Sequence, residues 1–92
     1  MFYVICYDIA EDRARTKAAK LLDGYGRRVQ KSVYECEHIS ERQLLRLLDK
    51  LERLLDHTSD SVRCYRLCRS CLTDFEGLGI GEPPRPRSSA YL

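Results

Sequence analysis

Asp8 closes an apolar run, Phe2-Tyr3-Val4-Ile5-Cys6-Tyr7, and two more acids, Glu11 and Asp12, follow within four positions. A carboxylate at the end of an apolar strand can hold Mg²⁺ through one or two oxygens and leave the remaining positions to water and phosphate. The competing reading is structural: an Asp that accepts from nearby backbone N–H groups and fixes a turn. A second set is Cys64, Cys68 and Cys71, the last two in Cys-x-x-Cys spacing. A structural zinc site takes four ligands, usually from two such pairs. There is no second pair, and His38 or His57 would have to be recruited across the fold. These cysteines read as small packing residues, buried or half-buried.

A third set is cationic: Arg13, Arg15, Arg27, Arg28, Arg63 and Arg66, interleaved with Tyr34 and Tyr65. Twelve of the 16 basic residues are Arg, whose planar fork suits phosphate and carboxylate better than the point charge of Lys. Residues 27–31 and 61–73 hold basic residues and no acid, although the net charge is only +2. The arrangement points to a surface that tracks phosphates; the alternative is a solvated face with a few ion pairs to helix acids. The segment Ser61-Val62-Arg63-Cys64-Tyr65-Arg66 lacks the Gly-Phe-rich pattern of an RNA-recognition motif.

The elements that must position these groups fit one small domain. With 92 residues, 43% hydrophobic and 33% charged, the chain has a globular composition. A domain of this size buries only about 60% of the surface of its unfolded chain, so a site should be shallow or built between two copies. No apolar run approaches the roughly 20 residues of a membrane span. The first residues lack the pattern of a signal peptide. With five cysteines, an odd number, this favours a reducing cytoplasm over a disulfide framework.

Residues 2–9 read as a strand, apolar on both faces. Asp12 is the expected N-cap of a helix over 13–24, with Ala14, Ala18, Leu21, Leu22 and Tyr25 as its apolar stripe and Gly24 and Gly26 as its stop. Residues 28–37 read as a second strand. Ser40 and Gln43 have capping-box spacing and open a helix whose Leu44, Leu47, Leu48, Leu51, Leu54 and Leu55 share one side. Residues 61–67 read as a third strand and 74–80 as a poorer fourth, weakened by Gly77 and Gly79. The expected plan is α+β: a ferredoxin-like βαββαβ, with a four-stranded antiparallel sheet and two helices on one face. The domain is placed at 1–81, with 82–92 a Pro/Arg/Ser-rich C-terminal tail. The sheet's second face would expose either Phe2, Val4 and Cys6 or Tyr3, Ile5 and Tyr7. Neither set belongs in water, and a sheet-to-sheet homodimer is the simplest cover.

Several segments together resemble the CRISPR-associated Cas-two family, the small partner in spacer acquisition. They are Tyr7-Asp8-Ile9, Asp12-Arg13-x-Arg15-x-Lys17, Gly26-x-Arg28-Val29-Gln30-x-Ser32-Val33-Tyr34-Glu35 and Asp60-Ser61-Val62-Arg63-x-Tyr65-x-Leu67-Cys68. The resemblance runs from Met1 to about Gly81, in order. It implies a ferredoxin-like homodimer, with Asp8 as a Mg²⁺ ligand and catalytic residue. It implies basic positions near that site at Arg15 and Arg28, and nucleic-acid contacts over Arg13, Arg15, Lys17, Arg28 and Tyr34. Tyr34 stands where the family's motif often has Phe. Two activities follow from the likeness. One is a Mg²⁺-dependent endonuclease acting on RNA or double-stranded DNA. The other is a non-catalytic scaffold that bridges Cas-one dimers along captured duplex DNA. The likeness also implies that a C-terminal segment adds an edge strand to the partner protomer, for which only 88–92 would serve here. One carboxylate per chain is thin for a metal nuclease. A small-ligand sensor on the same fold is disfavoured, because no Gly-rich loop follows the first strand.

Overall fold

Alternation along the first strand decides which way the molecule is built. In β1 (Phe2–Asp8), Tyr3, Ile5 and Tyr7 are buried in the main core, so Val4, Cys6 and Asp8 point to the opposite side of the sheet. In the computed structural model, which describes residues 2–73 and 76–79, β1 is followed by α1 (Asp12–Asp23), β2 (Arg27–Gln30), β3 (Val33–Cys36), α2 (Glu41–Glu52), β4 (Ser61–Leu67) and a short α3 (Arg69–Thr73). The strands form one sheet in the order β2-β3-β1-β4, and each neighbouring pair is antiparallel. The α+β βαββαβ plan expected from sequence is present, but its strands are distributed differently. Residues 28–37 are not one strand: β2 and β3 form a hairpin with a register shift between Arg28 and Gln30. Residues 61–67 are the last strand of the sheet, and 76–79 carry no strand. Residues 74, 75 and 80–92, including the tail and its proposed edge strand, lie outside the described residues.

The helices hold by burial of their predicted stripes. Ala18 and Leu22 of α1, and Leu44, Leu47 and Leu51 of α2, are buried against Ile5, Tyr34 and Cys36 in one core cluster. Full burial of a Leu side chain stabilises by about 1.5–3 kcal/mol, so Leu22, Leu47 and Leu51 anchor both helices to the sheet. The capping box opens α2: Ser40 Oγ accepts from Gln43 N (3.1 Å), and Gln43 Oε1 accepts from Ser40 N (2.8 Å). At α1 the cap is Glu11 rather than Asp12, and its side chain makes no capping bond. Gly24 ends α1 in right-handed geometry, so its left-handed freedom is not used. Gly26 is needed for space instead: a Cβ there would lie 2.5 Å from the Glu35 carbonyl oxygen and 2.6 Å from Cys36 Sγ.

The face without α1 and α2 is mixed rather than apolar. Register places Val4 opposite Glu35 and Tyr65, and Cys6 opposite Val33 and Arg63. Val4, Cys6 and Val33 are half-buried and Tyr65 is 48% exposed. Arg27 pairs with Glu35 at 3.0 Å along the β2 edge. Phe2, expected to be exposed if it shared this face, is fully buried.

Candidate active site

Four pieces of chain converge where β1 ends. Asp8 is its last residue and pairs with Ser61, the first residue of β4. On the other side, Tyr7 N donates to Ser32 O (3.0 Å), which seats the β2–β3 turn beside the strand end. The loop 9–11 then turns into the first turn of α1. Asp8 is exposed, and its carboxylate makes no hydrogen bond or ion pair among the described residues. The structural reading of Asp8, a turn fixed by backbone N–H groups, is therefore not what the chain does with it.

That structural work is done by Asp60, which enters the sequence reading only as the first residue of a motif segment. One of its carboxylate oxygens accepts from Ala10 N (3.0 Å) and from Ser59 Oγ (3.0 Å); the other accepts from Asp56 N (2.9 Å). The Asp56 and Ala10 N–H groups hold the Asp60 carboxyl below the usual carboxylate range. The signal in the sequence was the Asp56-x-Thr58-Ser59-Asp60 run, whose short polar side chains bond readily to nearby backbone N–H groups.

Arg15 braces the same loop from the helix side. Its Nη1 donates to the carbonyls of Ile9 (3.0 Å) and Ala10 (3.2 Å), and Nη2 pairs with Asp12. Asp12 is thus committed to Arg15 and Asp60 to the two loops, while Asp8 at the strand end and Glu11 in the loop after it are exposed carboxylates with no hydrogen bond or ion pair among the described residues. Arg28 braces the hairpin: Nε and Nη2 donate to Lys31 O (3.1 and 2.5 Å), and its guanidinium lies 5.8 Å from the Tyr34 ring centroid. Tyr7 Oη donates to the same carbonyl at 3.3 Å. Arg28 stays exposed at its outer side.

Tyr34 corrects the sequence reading. Its ring is fully buried, stacked at 6.4 Å from Tyr7, and its hydroxyl donates to Asp23 (2.8 Å). Burial first, then the Asp23 carboxylate, pushes its pKa up to about 12. A ring with no exposed face cannot stack on a base; Tyr34 supports Arg28 from beneath. Arg13 and Lys17 do stand free: one helical turn apart and exposed on α1, they have no ion-pair partner among the described residues.

The cysteines also depart from expectation. Cys36 is buried and Cys64 half-buried, but Cys68 and Cys71 are exposed at the start of α3, and no disulfide forms among the described cysteines. No group of three His, Cys, Asp or Glu side chains able to hold a metal occurs among the described residues. Asp8 has the right donor for Mg²⁺, a hard oxygen open to water and phosphate. A single chain supplies Asp8 at the strand end, with the exposed Glu11 three residues on, and a second copy would supply another Asp8.

The class these features define is structural: a small ferredoxin-like split βαβ domain with an exposed acid at the end of its first strand and basic side chains around it. The model of the family "CRISPR associated protein Cas2" matches residues 1–74, and this chain belongs to that family, the Cas-two family named above. It is 46% identical to a protein of Chloroflexus aurantiacus named CRISPR-associated endoribonuclease Cas2 1, over 100% of this chain and 99% of the relative. Among solved structures it is similar to Streptococcus pyogenes Cas2, with a TM-score of 0.76 and 30% identity, over 86% of this chain and 100% of the other. It is also similar to a chain of a partial Cas6-RT-Cas1–Cas2 complex, with a TM-score of 0.71 and 27% identity, over 84% of this chain and 89% of that one. No helix among the described residues is long and apolar enough to cross a membrane.

Proposed function

We propose that the chain is a CRISPR adaptation protein that works as a homodimer and cleaves phosphodiester bonds at the end of β1. The observation that carries this reading is the exposed Asp8 carboxylate, left without a partner while its acidic neighbours Asp12 and Asp60 are engaged. Two copies meeting through their open sheet faces would bring two Asp8 side chains together. Like charges that close favour a shared cation. Bound there, Mg²⁺ would supply an activated water and neutralise charge on the transferring phosphoryl group. The chain's own residues do the rest. Arg15 and Asp60 fix the loop that follows Asp8, while Arg13, Lys17 and the outer side of Arg28 hold flanking phosphates of RNA or double-stranded DNA. Nuclease activity agrees with the name of the Chloroflexus relative.

A second reading is a scaffold that joins Cas-one to duplex DNA without cutting. It is favoured by the absence, among the described residues, of any group of three side chains able to hold a metal, and by the structural likeness to a chain of a Cas1–Cas2 complex. Asp8→Asn separates the two, because it removes the charge and nearly keeps the shape. The proposal expects it to abolish Mg²⁺-dependent cleavage while circular dichroism and chain mass in solution stay unchanged. Spacer acquisition measured in parallel decides the biological role: if it persists in the variant, the scaffold carries it. Unchanged cleavage by purified Asp8→Asn would remove Asp8 from the chemistry.

A further inference from the structure

The Cys-x-x-Cys pair has no part in the site at the end of β1. It lies at the opposite end of the sheet, because Cys68 directly follows Leu67, the β4 residue that pairs with Phe2 at the start of β1. Six residue steps along a strand put it about 20 Å from Asp8. Both thiols are exposed, and Cys68 Sγ lies 3.3 Å from Cys71 Sγ and 3.1 Å from Ser70 Oγ. Rotation of the side chains over little more than 1 Å would bring the sulfurs to the about 2.05 Å of a disulfide. A site that only packed a core would bury these sulfurs. A structural zinc site would need two further ligands, and no such cluster exists among the described residues.

We propose that Cys68 and Cys71 form a redox-active dithiol that exchanges with small-molecule disulfides of the glutathione type and closes to an intramolecular disulfide. Cys68 is the attacking sulfur. The Ser70 hydroxyl and then the Cys71 backbone N–H lower its pKa to about 7. The thiolate attacks one sulfur of oxidised glutathione, breaks that S–S bond and releases one glutathione thiolate. Cys71 then loses its proton to solvent, attacks Cys68 Sγ in the mixed disulfide and expels the second glutathione. Two thiols of the protein are oxidised and one glutathione disulfide is reduced to two thiols. The other thiols do not compete equally. Burial pushes Cys36 up to about 11 and also raises Cys64.

At pH 7 about half of Cys68 would be thiolate, against about 3% of an ordinary thiol. Lower intrinsic nucleophilicity offsets part of that gain, leaving a rate advantage of about three- to four-fold. The test uses the full chain, treated with oxidised glutathione, quenched in acid, alkylated and digested with trypsin. Trypsin cuts after Arg69, between the two cysteines, so an internal bridge joins two peptides. Wild-type protein is expected to yield that joined pair, and Cys71→Ser to stop with glutathione on Cys68. Alkylation of Cys68 in untreated wild type should exceed that of Cys64 several-fold and lose the advantage in guanidinium. Glutathione retained on wild-type Cys68, bridges only between chains, or equal alkylation of Cys64 and Cys68 in the folded chain would each overturn the dithiol.

Discussion

The loop after β1 is held by side chains that take no part in the proposed chemistry, and this fixes how the site should respond to acid. Asp60 ties Ala10 to the loop before β4, while Asp56 accepts from Thr58 N (3.0 Å) and Thr58 Oγ1 (2.7 Å). Both carboxyls sit below the usual range, Asp56 chiefly through the Thr58 hydroxyl and Asp60 chiefly through the Asp56 N–H. A lowered folded value means that the unfolded chain binds more protons in this window. The stability these contacts supply is therefore full above the ordinary carboxylate value near 4 and is lost as pH falls through the lowered folded value. Asp60→Ala is expected to lower the melting temperature at pH 7, and the gap to wild type should narrow by pH 3. Thermal melts at the two pH values, followed by circular dichroism, check this; an equal gap would mean that the Asp60 charge contributes nothing. At this scale the sequence was partly legible. Asp8 stood out because an acid ends an apolar run. Tyr34 misled because an aromatic beside Arg28 looks the same in sequence whether it faces a base or the underside of a helix. Only the pairing of Ile5 with Tyr34 puts its ring on the α1 side of the sheet.

Among the elements, β1 and α2 were the most legible, for different reasons. β1 has seven residues, five of them β-branched or aromatic, and α2 has both a capping box and a leucine stripe. The β2–β3 hairpin was not legible. Lys31-Ser32 carries neither Gly nor Asn, and the shift between Arg28 and Gln30 disturbs the alternation that would have marked two strands. α3 was missed because five residues are too few to show a helical period. Gly26 was read as a helix stop, yet its demand comes from a strand on the other side of the turn. Gly26→Ala should therefore destabilise by about 1–3 kcal/mol, the usual cost of forcing extra volume against backbone. A urea midpoint shifted downward with an unchanged slope would agree; a midpoint equal to wild type would show that the hairpin yields to the added methyl.

For the whole molecule the open sheet face and the basic end belong to one proposal. Val4, Cys6, Val33 and Tyr65 form a partly apolar strip flanked by Arg27, Glu35 and Arg63, a surface on which a second copy could close with charged groups at its rim. Closure would align the two basic ends along one nucleic-acid duplex. Replacing Arg13 and Lys17 with Ala should then weaken binding on every sequence alike and reduce the slope of log affinity against log salt by about 1–2, because each neutralised phosphate releases counterions. Fluorescence anisotropy over a salt series measures the slope, and an unchanged slope would place the phosphates elsewhere. The central claim is that Asp8 side chains from two chains share one divalent cation. Its most direct measurement is a titration with Mn²⁺, which stands in for Mg²⁺ and is read as free ion by electron paramagnetic resonance. One tight site per two chains is expected, lost in Asp8→Asn. One site per chain, or a site that survives Asp8→Asn, would contradict it.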